Sequence, residues 1–481
     1  MGSESTQTKT KAATAWVVAL TAIGSLMAAL DTLVVSTALS SIRLDLGASI
    51  EELEWTVNAY NLSFAVLLIT AAALGDRYGR RRFYAGGLAL FAGASALSAL
   101  APNVGSLIAA RALQGAGAAL VLTLGLALLS AAFPPEKRGA AIGLFSAVTG
   151  IAVASGPLVG GAIAEGIDWE WIFWINVPIG LLAIPLVLSR IEESFGGDTG
   201  LDLPGLGLIS GAAFGIVWGL VRGNSAGWES VEVIGSLAAG LMLVGAFIAW
   251  ELRASEPMLP VRLFRSRAFS AGNAAIFFTL ASLFGAVFFF AQMLQTGLGY
   301  GPLDAGLRLM PWTITFITVA PIVGSLVERY GERPFMVGGL TLQAVGMGWI
   351  ALIADPGLTY SEFVLPTIVA GIGVSMAIPS AQNSVVGSVS LEDVGKAAGA
   401  NSMMRELGGV FGIAVAVAVF ATAGSYASPD DFLDGFASAI AVVAALSLAG
   451  AIVALALPGR RQAAESPPVG PVPALEGEGG S

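Results

Sequence analysis

The chain predicts an all-α polytopic membrane protein, with fourteen transmembrane helices arranged 6 + 2 + 6. Hydrophobic residues make up 56% of the 481 positions and charged residues only 12%, about half the charge of a soluble protein, and mean hydropathy is +0.80. The apolar residues gather into runs long enough to cross a bilayer, about 20 residues each. One short charged loop is also written twice: Asp76-Arg77-Tyr78-Gly79-Arg80-Arg81 returns as Glu328-Arg329-Tyr330-Gly331-Glu332-Arg333, each time at the exit of a hydrophobic run. Two related halves are the economical explanation.

Residues 1–13 are polar and carry Lys9 and Lys11, with no small-residue cleavage site before the first apolar run. They read as a cytoplasmic N-terminal segment ahead of a retained helix. Runs at 14–36, 54–74, 83–101, 105–130, 140–165 and 171–189 make a first six-helix bundle over 14–189. Runs at 203–222 and 231–251 fall in a linker region, 190–267. They carry little polarity, which suits a pair packed outside the functional core. Runs at 268–294, 305–328, 334–353, 361–385, 397–423 and 434–457 make a second bundle over 268–457. The Pro/Gly/Glu-rich tail, 458–481, has the composition of a disordered segment.

Charge supports this count. Lys9, Lys11, Arg77, Arg80, Arg81, Arg82, Lys137, Arg138, Arg190, Arg253, Arg262, Arg265, Arg267, Arg329, Arg333, Lys396, Arg460 and Arg461 fall on one side. The opposite loops hold Arg43 and Arg222 and are otherwise acidic: Asp45, Glu51, Glu52, Glu54, Asp168, Glu170, Asp355, Glu362, Asp430 and Asp431. Basic residues stay cytoplasmic, so both termini are expected there, in a cell (inner) membrane. A one-helix error would scramble the pattern.

Cysteine and histidine are absent. That excludes disulfides, thiolate metal sites and a cysteine nucleophile, and leaves proton chemistry to carboxylates. No metal site or cofactor is expected; a proton gradient would be the energy source. The sole Gly-Lys pair, Gly395-Lys396, is followed by alanine, so no phosphate-cradling loop exists for an ATP-driven pump. The net charge of −10 does not suggest nucleic-acid binding.

Charge inside a bilayer is costly, so each intramembrane ionisable residue is a candidate for function. Asp31, late in the first helix, is either an interfacial carboxylate or a buried proton-binding one. Arg111, in the fourth, faces a cavity or partner, or hydrogen-bonds backbone carbonyls. Gln114 lies one turn on, on the same face. In the fifth, Pro157 kinks the helix, while Gly156, Gly160 and Gly161 permit close packing, for a pivot between halves or for packing alone. In the thirteenth, adjacent Arg405 and Glu406 follow Asn401. They form a structural ion pair with other helices, or Glu406 titrates. Arg308 begins the tenth helix as an expected snorkelling residue. Phe277, Phe278 and Trp312, with Gln114, Asn401 and Arg405, are candidates for lining a substrate cavity between the bundles.

With these motifs in view, the chain resembles the fourteen-helix drug:proton antiporter branch of the major facilitator superfamily. The Gly75–Arg82 loop resembles that superfamily's signature between helices 2 and 3. Arg111–Gly117 is similar to its helix 4 motif, and Gly150–Gly161 to the antiporter motif of helix 5. Leu30–Leu39 and Trp171–Gly180 resemble further elements of the branch. The resemblance implies a major facilitator fold and alternating access, with export of hydrophobic or amphipathic compounds driven by inward proton flow. It implies proton coupling at Asp31, Arg111 and Glu406. It also implies cytoplasmic gating by Gly75, Asp76, Arg77, Gly79, Arg80 and Glu136, repeated by Glu328, Arg329, Gly331 and Arg333, and a helix 5 motif of Gly150, Gly156, Pro157, Gly160 and Gly161. Substrate, protons and lipid are the implied partners, for a monomer. A dedicated exporter of one metabolite, siderophore or lipid is the alternative, with a membrane enzyme or sensor more remote.

Overall fold

The computed structural model describes residues 2–133, 155–196, 202–255, 259–389 and 394–459, together with 145, 148, 152 and 257. All regular structure among them is helical. In the first half these are α1 (Gly2–Leu46), α2 (Ile50–Tyr78), α3 (Arg80–Ala99), α4 (Val104–Ala132), α5 (155–166), α6 (Trp171–Trp174) and α7 (Asn176–Arg190). Then come α8 (Leu203–Ala226) and α9 (Val231–Glu251). The second half holds α10 (Arg267–Gln292), α11 (Pro302–Arg308), α12 (Met310–Tyr330), α13 (Glu332–Ile353), α14 (Tyr360–Val386), α15 (Val394–Ala423) and α16 (Pro429–Ala454).

Eleven described helices are long and apolar enough to cross a membrane, twelve with the bent α2 counted as one span. The chain is therefore a multi-pass membrane protein. Two of the expected crossings stand apart from that group. One is α3, whose first turn carries Arg80, Arg81 and Arg82. The other is the run at 140–165, much of which lies outside the described residues, as do Glu136, Gly150, Arg460, Arg461 and the tail.

Helix starts differ from the apolar runs for a local reason. Ser49 caps α2: its Oγ accepts from Glu52 N at 3.2 Å, while Glu52 Oε2 accepts from Ser49 N at 2.9 Å. This capping box begins the helix at Ile50, before the hydrophobic run. Glu54 therefore stands in the second turn, fully buried, and not in the loop where the charge count put it. At the other end of the same helix pair, Gly79 and its repeat Gly331 take φ +112° and +85°. Glycine enters that region without a Cβ penalty, and the chain reverses there in a single residue.

Each half has its own core. α1–α4 and α7 enclose Tyr60, Tyr84, Phe91 and Leu124, and α10, α13, α14 and α16 enclose Ile276, Leu340, Ala377 and Ala451. A third core joins the halves, running from Val34, Leu39 and Leu53 to Phe289, Phe290 and Phe420. α8 lies along the seam, with Ala213, Val217 and Val221 against Leu62 of α2 and Val410 and Ala414 of α15. The linker pair thus touches both halves.

Described polar and ring contacts between the halves gather at one end. Gln295 Nε2 donates to Thr37 O at 2.9 Å, Glu165 Oε2 accepts from Leu303 N at 2.8 Å, and the Arg43 guanidinium lies 4.1 Å over the Tyr426 ring. The Tyr426 hydroxyl donates to Gln292. Burial pushes that phenol above its ordinary range and Arg43 pulls the other way. The twice-written loops lie at the opposite end.

Candidate functional site

Asp31 and Arg111 meet in the middle of the first half, each side chain 1% exposed. Arg111 Nη1 donates to Asp31 Oδ2 and to Gln114 Oε1 at 2.7 Å. Gln114 Nε2 donates to Asp31 Oδ1 at 2.8 Å and to Ser95 Oγ at 2.7 Å. Asn176 Nδ2 reaches the same two atoms at 3.3 and 3.0 Å. Arg111 Nε donates to Thr56 O at 3.2 Å, and the guanidinium lies 4.3 Å from the Tyr60 ring centroid and 5.6 Å from that of Phe173. Asp31 is thus buried and charge-paired, not interfacial.

Six helices build this cluster: α1 supplies Asp31, α2 Thr56 and Tyr60, α3 Ser95, α4 Arg111 and Gln114, α6 Phe173, and α7 Asn176. Glycine lets them approach. A Cβ at Gly115 would meet Ser63 Oγ and the Tyr60 carbonyl, and one at Gly117 would lie 2.7 Å from Phe91 N. Breaking a buried pair costs about 3–5 kcal/mol, because one charge is left unpaired.

Sequence reading found Asp31, Arg111 and Gln114. Asn176 lies within the Trp171–Gly180 motif, while Ser95, Thr56 and Tyr60 carry no sequence signal of their own. An amide in an otherwise apolar stretch was the available signal for Asn176. Thr56 contributes a main-chain carbonyl, which no side-chain pattern reveals.

The second half carries a neutral counterpart on corresponding helices. Ser282 of α10 accepts from Gln343 Nε2 of α13 at 3.0 Å and from Ser447 of α16 at 2.7 Å. Among the described residues no ionisable side chain joins that cluster.

At the loop end, Asp76 Oδ1 and Arg80 Nε pair at 2.7 Å. The segment after α7 grips this loop. Arg80 N donates to Ser194 O at 2.9 Å, Gly196 N to Asp76 O at 3.0 Å, and Arg81 N to Glu193 Oε1 at 2.8 Å. Gly75 allows α2 to pass Leu124, which a Cβ would strike. Arg77 stacks on Tyr78. In the repeat, Arg329 stacks on Tyr330 and Arg333 is exposed, without a described ion pair. Glu328 is helical, and its side chain lies outside the described ones.

The α5 glycines pack on α1 just beyond Asp31. A Cβ at Gly156 would lie 2.7 Å from Leu33 Cβ, and one at Gly160 would meet Thr37 Oγ1 and Val34 O. The other side of α5 meets the second half, Gly161 against Pro302 and the Pro157 carbonyl against Gly306.

Glu406 is buried and pairs with its own neighbour Arg405, Nη2 to Oε1, at 3.2 Å, not with another helix. Buried Asn401 lies one turn before Arg405. Arg308 does not snorkel freely: it pairs with Asp304 at 3.1 Å and lies 3.7 Å over Tyr300. The aromatic cavity candidates pack on different neighbours, although the Phe277 and Phe278 rings also touch edge to face at 5.5 Å. Phe277 packs 5.3 Å from Phe411, Phe278 turns toward Gly450 of α16, and Trp312 is buried against Phe290. Adjacent helical residues point about 100° apart, so Phe277 and Phe278 face different helices.

The comparisons agree with this architecture. The model of the Major Facilitator Superfamily matches residues 21–310 and 273–476. The chain is 35% identical over 416 residues to the tetracenomycin C resistance and export protein of Streptomyces glaucescens, covering 86% of this chain and 77% of that protein. It is 34% identical to the cephamycin export protein CmcT of Amycolatopsis lactamdurans, covering 93% of each. It is also 34% identical to the multidrug resistance protein Stp of Mycobacterium tuberculosis, covering 83% and 75%. Among solved structures, a partially occluded inward-open form of the xylose transporter XylE from E. coli superposes with a TM-score of 0.61. That match covers 91% of this chain and 98% of that one at 14% identity, and so speaks for the fold alone. The chain belongs to the Major Facilitator Superfamily.

Proposed function

We propose that this chain is a proton-coupled antiporter that exports hydrophobic or amphipathic small molecules by alternating access. The observation that carries this reading is the buried Asp31–Arg111 pair, set beside the glycine face of α5. Protonation of Asp31 breaks that pair inside the first half. The same stretch of α1 meets α5 and, through Thr37, the second half. Charge at the core is thereby linked to the contacts that close one end. Glu406 is the second carboxylate of the pathway, and the Asp76–Arg80 loop gates the other end. Export by relatives of similar length supports the direction of transport.

In the membrane this reading has fourteen helices, 6 + 2 + 6, with residues 14–189 and 268–457 as the two bundles and 190–267 as the linker. α3 and the run at 140–165 complete the count. The charge distribution supports cytoplasmic termini in an inner membrane, and the inter-half contacts at the Arg43–Tyr426 end support an inward-facing state closed there. The chain works as a monomer, without a cofactor.

Proteoliposomes with an imposed proton gradient test this. Wild type is expected to export an amphipathic dye, and Asp31→Asn to lose the dependence on the gradient. Gradient-driven export unchanged in Asp31→Asn would remove Asp31 from the coupling path. Two relatives are named for one antibiotic each, which favours a second reading, a dedicated exporter. Dye competition against a metabolite panel separates the two.

A further inference from the structure

We propose that Glu54 is a further protonation site, apart from Asp31 and Glu406, one that must take up a proton before the Arg43–Tyr426 end can close over it. The side chain is fully buried, one turn inside the Ser49 cap of α2. Its Oε1 accepts from Asn58 Nδ2 at 3.1 Å, and its Oε2 has no hydrogen-bond partner. Asn58 Oδ1 and both amide atoms of Asn61 are likewise buried without partners. With 3.6 residues per turn, the three side chains fall within about 60° of one another. The flanking faces of α2 are occupied: Leu53 and Val57 enter the core shared with α1, and Trp55, Leu62 and Val66 pack on α8. The polar stripe between them lies in the seam where α2 packs on α15 of the other half.

No described cation lies within ion-pair distance of Glu54, and the charged groups of every helix against α2 are engaged elsewhere. On α2 itself, Glu51 is 4.0 Å from Arg222 of α8, which also pairs with Glu232. On α4, Arg111 holds Asp31 of α1 and the Thr56 carbonyl. Arg43 of α1 lies on Tyr426, Asp45 of α1 accepts from Trp169 Nε1, and Lys396 of α15 donates to the Pro257 carbonyl. Arg405 and Glu406 of α15 hold each other. Arg80, Arg81 and Arg82 of α3 are at the far end, with Asp76 and Glu193.

A carboxylate buried without a counter-charge is so costly that the group neutralises instead. When this end stands open, the stripe faces water and Glu54 ionises freely. Closure then requires one O–H bond to form from carboxylate and a proton of the facing solution, and reopening returns that proton. Asp31 would hold the proton that drives export, and Glu54 would decide whether the gate above it can shut. This role rests on the proton-coupled reading, yet it can be measured without cargo or gradient.

The chain lacks cysteine, so spin labels at Leu44→Cys and Ala427→Cys, exposed positions on the two sides of this end, report the gate distance in nanodiscs. In the otherwise wild-type protein, raising the pH is expected to convert the short distance into a longer one, the closed-to-open ratio falling up to about tenfold per pH unit for one proton. Glu54→Gln, neutral and of the same shape, is expected to stay closed across the range. A Glu54→Gln protein that follows the wild-type pH profile overturns the proposal, as does a transition abolished by Asp31→Asn alone. An infrared readout supports the distance series. At neutral pH a protonated-carboxyl stretch should shift in Glu54→Asp and vanish in Glu54→Gln, and an unchanged band also overturns the proposal. The flux assay decides the proton-coupled reading separately.

Discussion

Gln295 donates its side-chain amide to the Thr37 carbonyl at 2.9 Å, one half of the molecule bonding to the other, and Thr37 is also the residue that Gly160 packs against. One short piece of α1, six residues past Asp31, therefore carries the α5 contact and an inter-half bond together. A Cβ at Gly160 would push against both Thr37 and Val34. Gly160→Ala is expected to cost about 1–3 kcal/mol through overpacking and to weaken export more than Gln295→Leu, which removes a single bond of about 0.5–1.5 kcal/mol. Thermal melting in detergent and dye flux, measured side by side, check the order.

Asp31 and Arg111 should behave as a coupled pair. Arg111→Ala leaves a buried carboxylate without its counter-charge and is expected to cost about 3–5 kcal/mol. Asp31→Asn with Arg111→Gln removes both charges and should recover much of that loss. A double-mutant cycle on melting gives the coupling energy. Additive effects would mean the two charges are held independently.

The Asp76–Arg80 pair is partly exposed, with side chains 24% and 19% accessible. Such pairs contribute about 0–1 kcal/mol. Asp76→Asn should leave melting within about 1 kcal/mol of wild type while slowing export, the outcome expected of the gating role proposed for this loop. Gly79→Ala, forced to φ +112°, is expected to destabilise the loop by about 1–3 kcal/mol. Limited proteolysis of the loop reports that difference.

Ser282 tests the asymmetry between the halves. Ser282→Ala leaves Gln343 and Ser447 without their shared partner, a loss of about 1–3 kcal/mol. The cluster holds no titrating group, so the pH profile of export should keep its shape while Asp31→Asn changes it. A shifted profile in Ser282→Ala would show that the neutral cluster takes part in proton coupling.

Much of the fold was legible because a bilayer penalises polarity so strongly. Apolar runs, basic loops and the repeated Asp76 and Glu328 motifs each mark a boundary in one dimension. Asp31, Arg111 and Gln114 stood out for the same reason, as polar groups inside such runs. Glu54 did not stand out, because it sits at the edge of its run and was counted with Glu51 and Glu52 as loop charge. The Ser49–Glu52 capping box was the overlooked signal that the helix had already begun. Phe277, Phe278 and Trp312 were chosen for ring chemistry alone, and ring chemistry does not say which neighbour a helix face meets.

By itself the sequence determined the class of protein, the two related halves, the turns at Gly79 and Gly331 and the identity of the intramembrane charges, since all of these follow from local solvation and backbone freedom. Tertiary structure alone decided that Arg111 pairs with Asp31, that Glu406 keeps its partner on its own helix and that Glu54 has no counter-charge among the described residues. Those outcomes depend on which helix faces cross at a given depth, and residues 80 positions apart, as Asp31 and Arg111 are, carry no local record of that meeting.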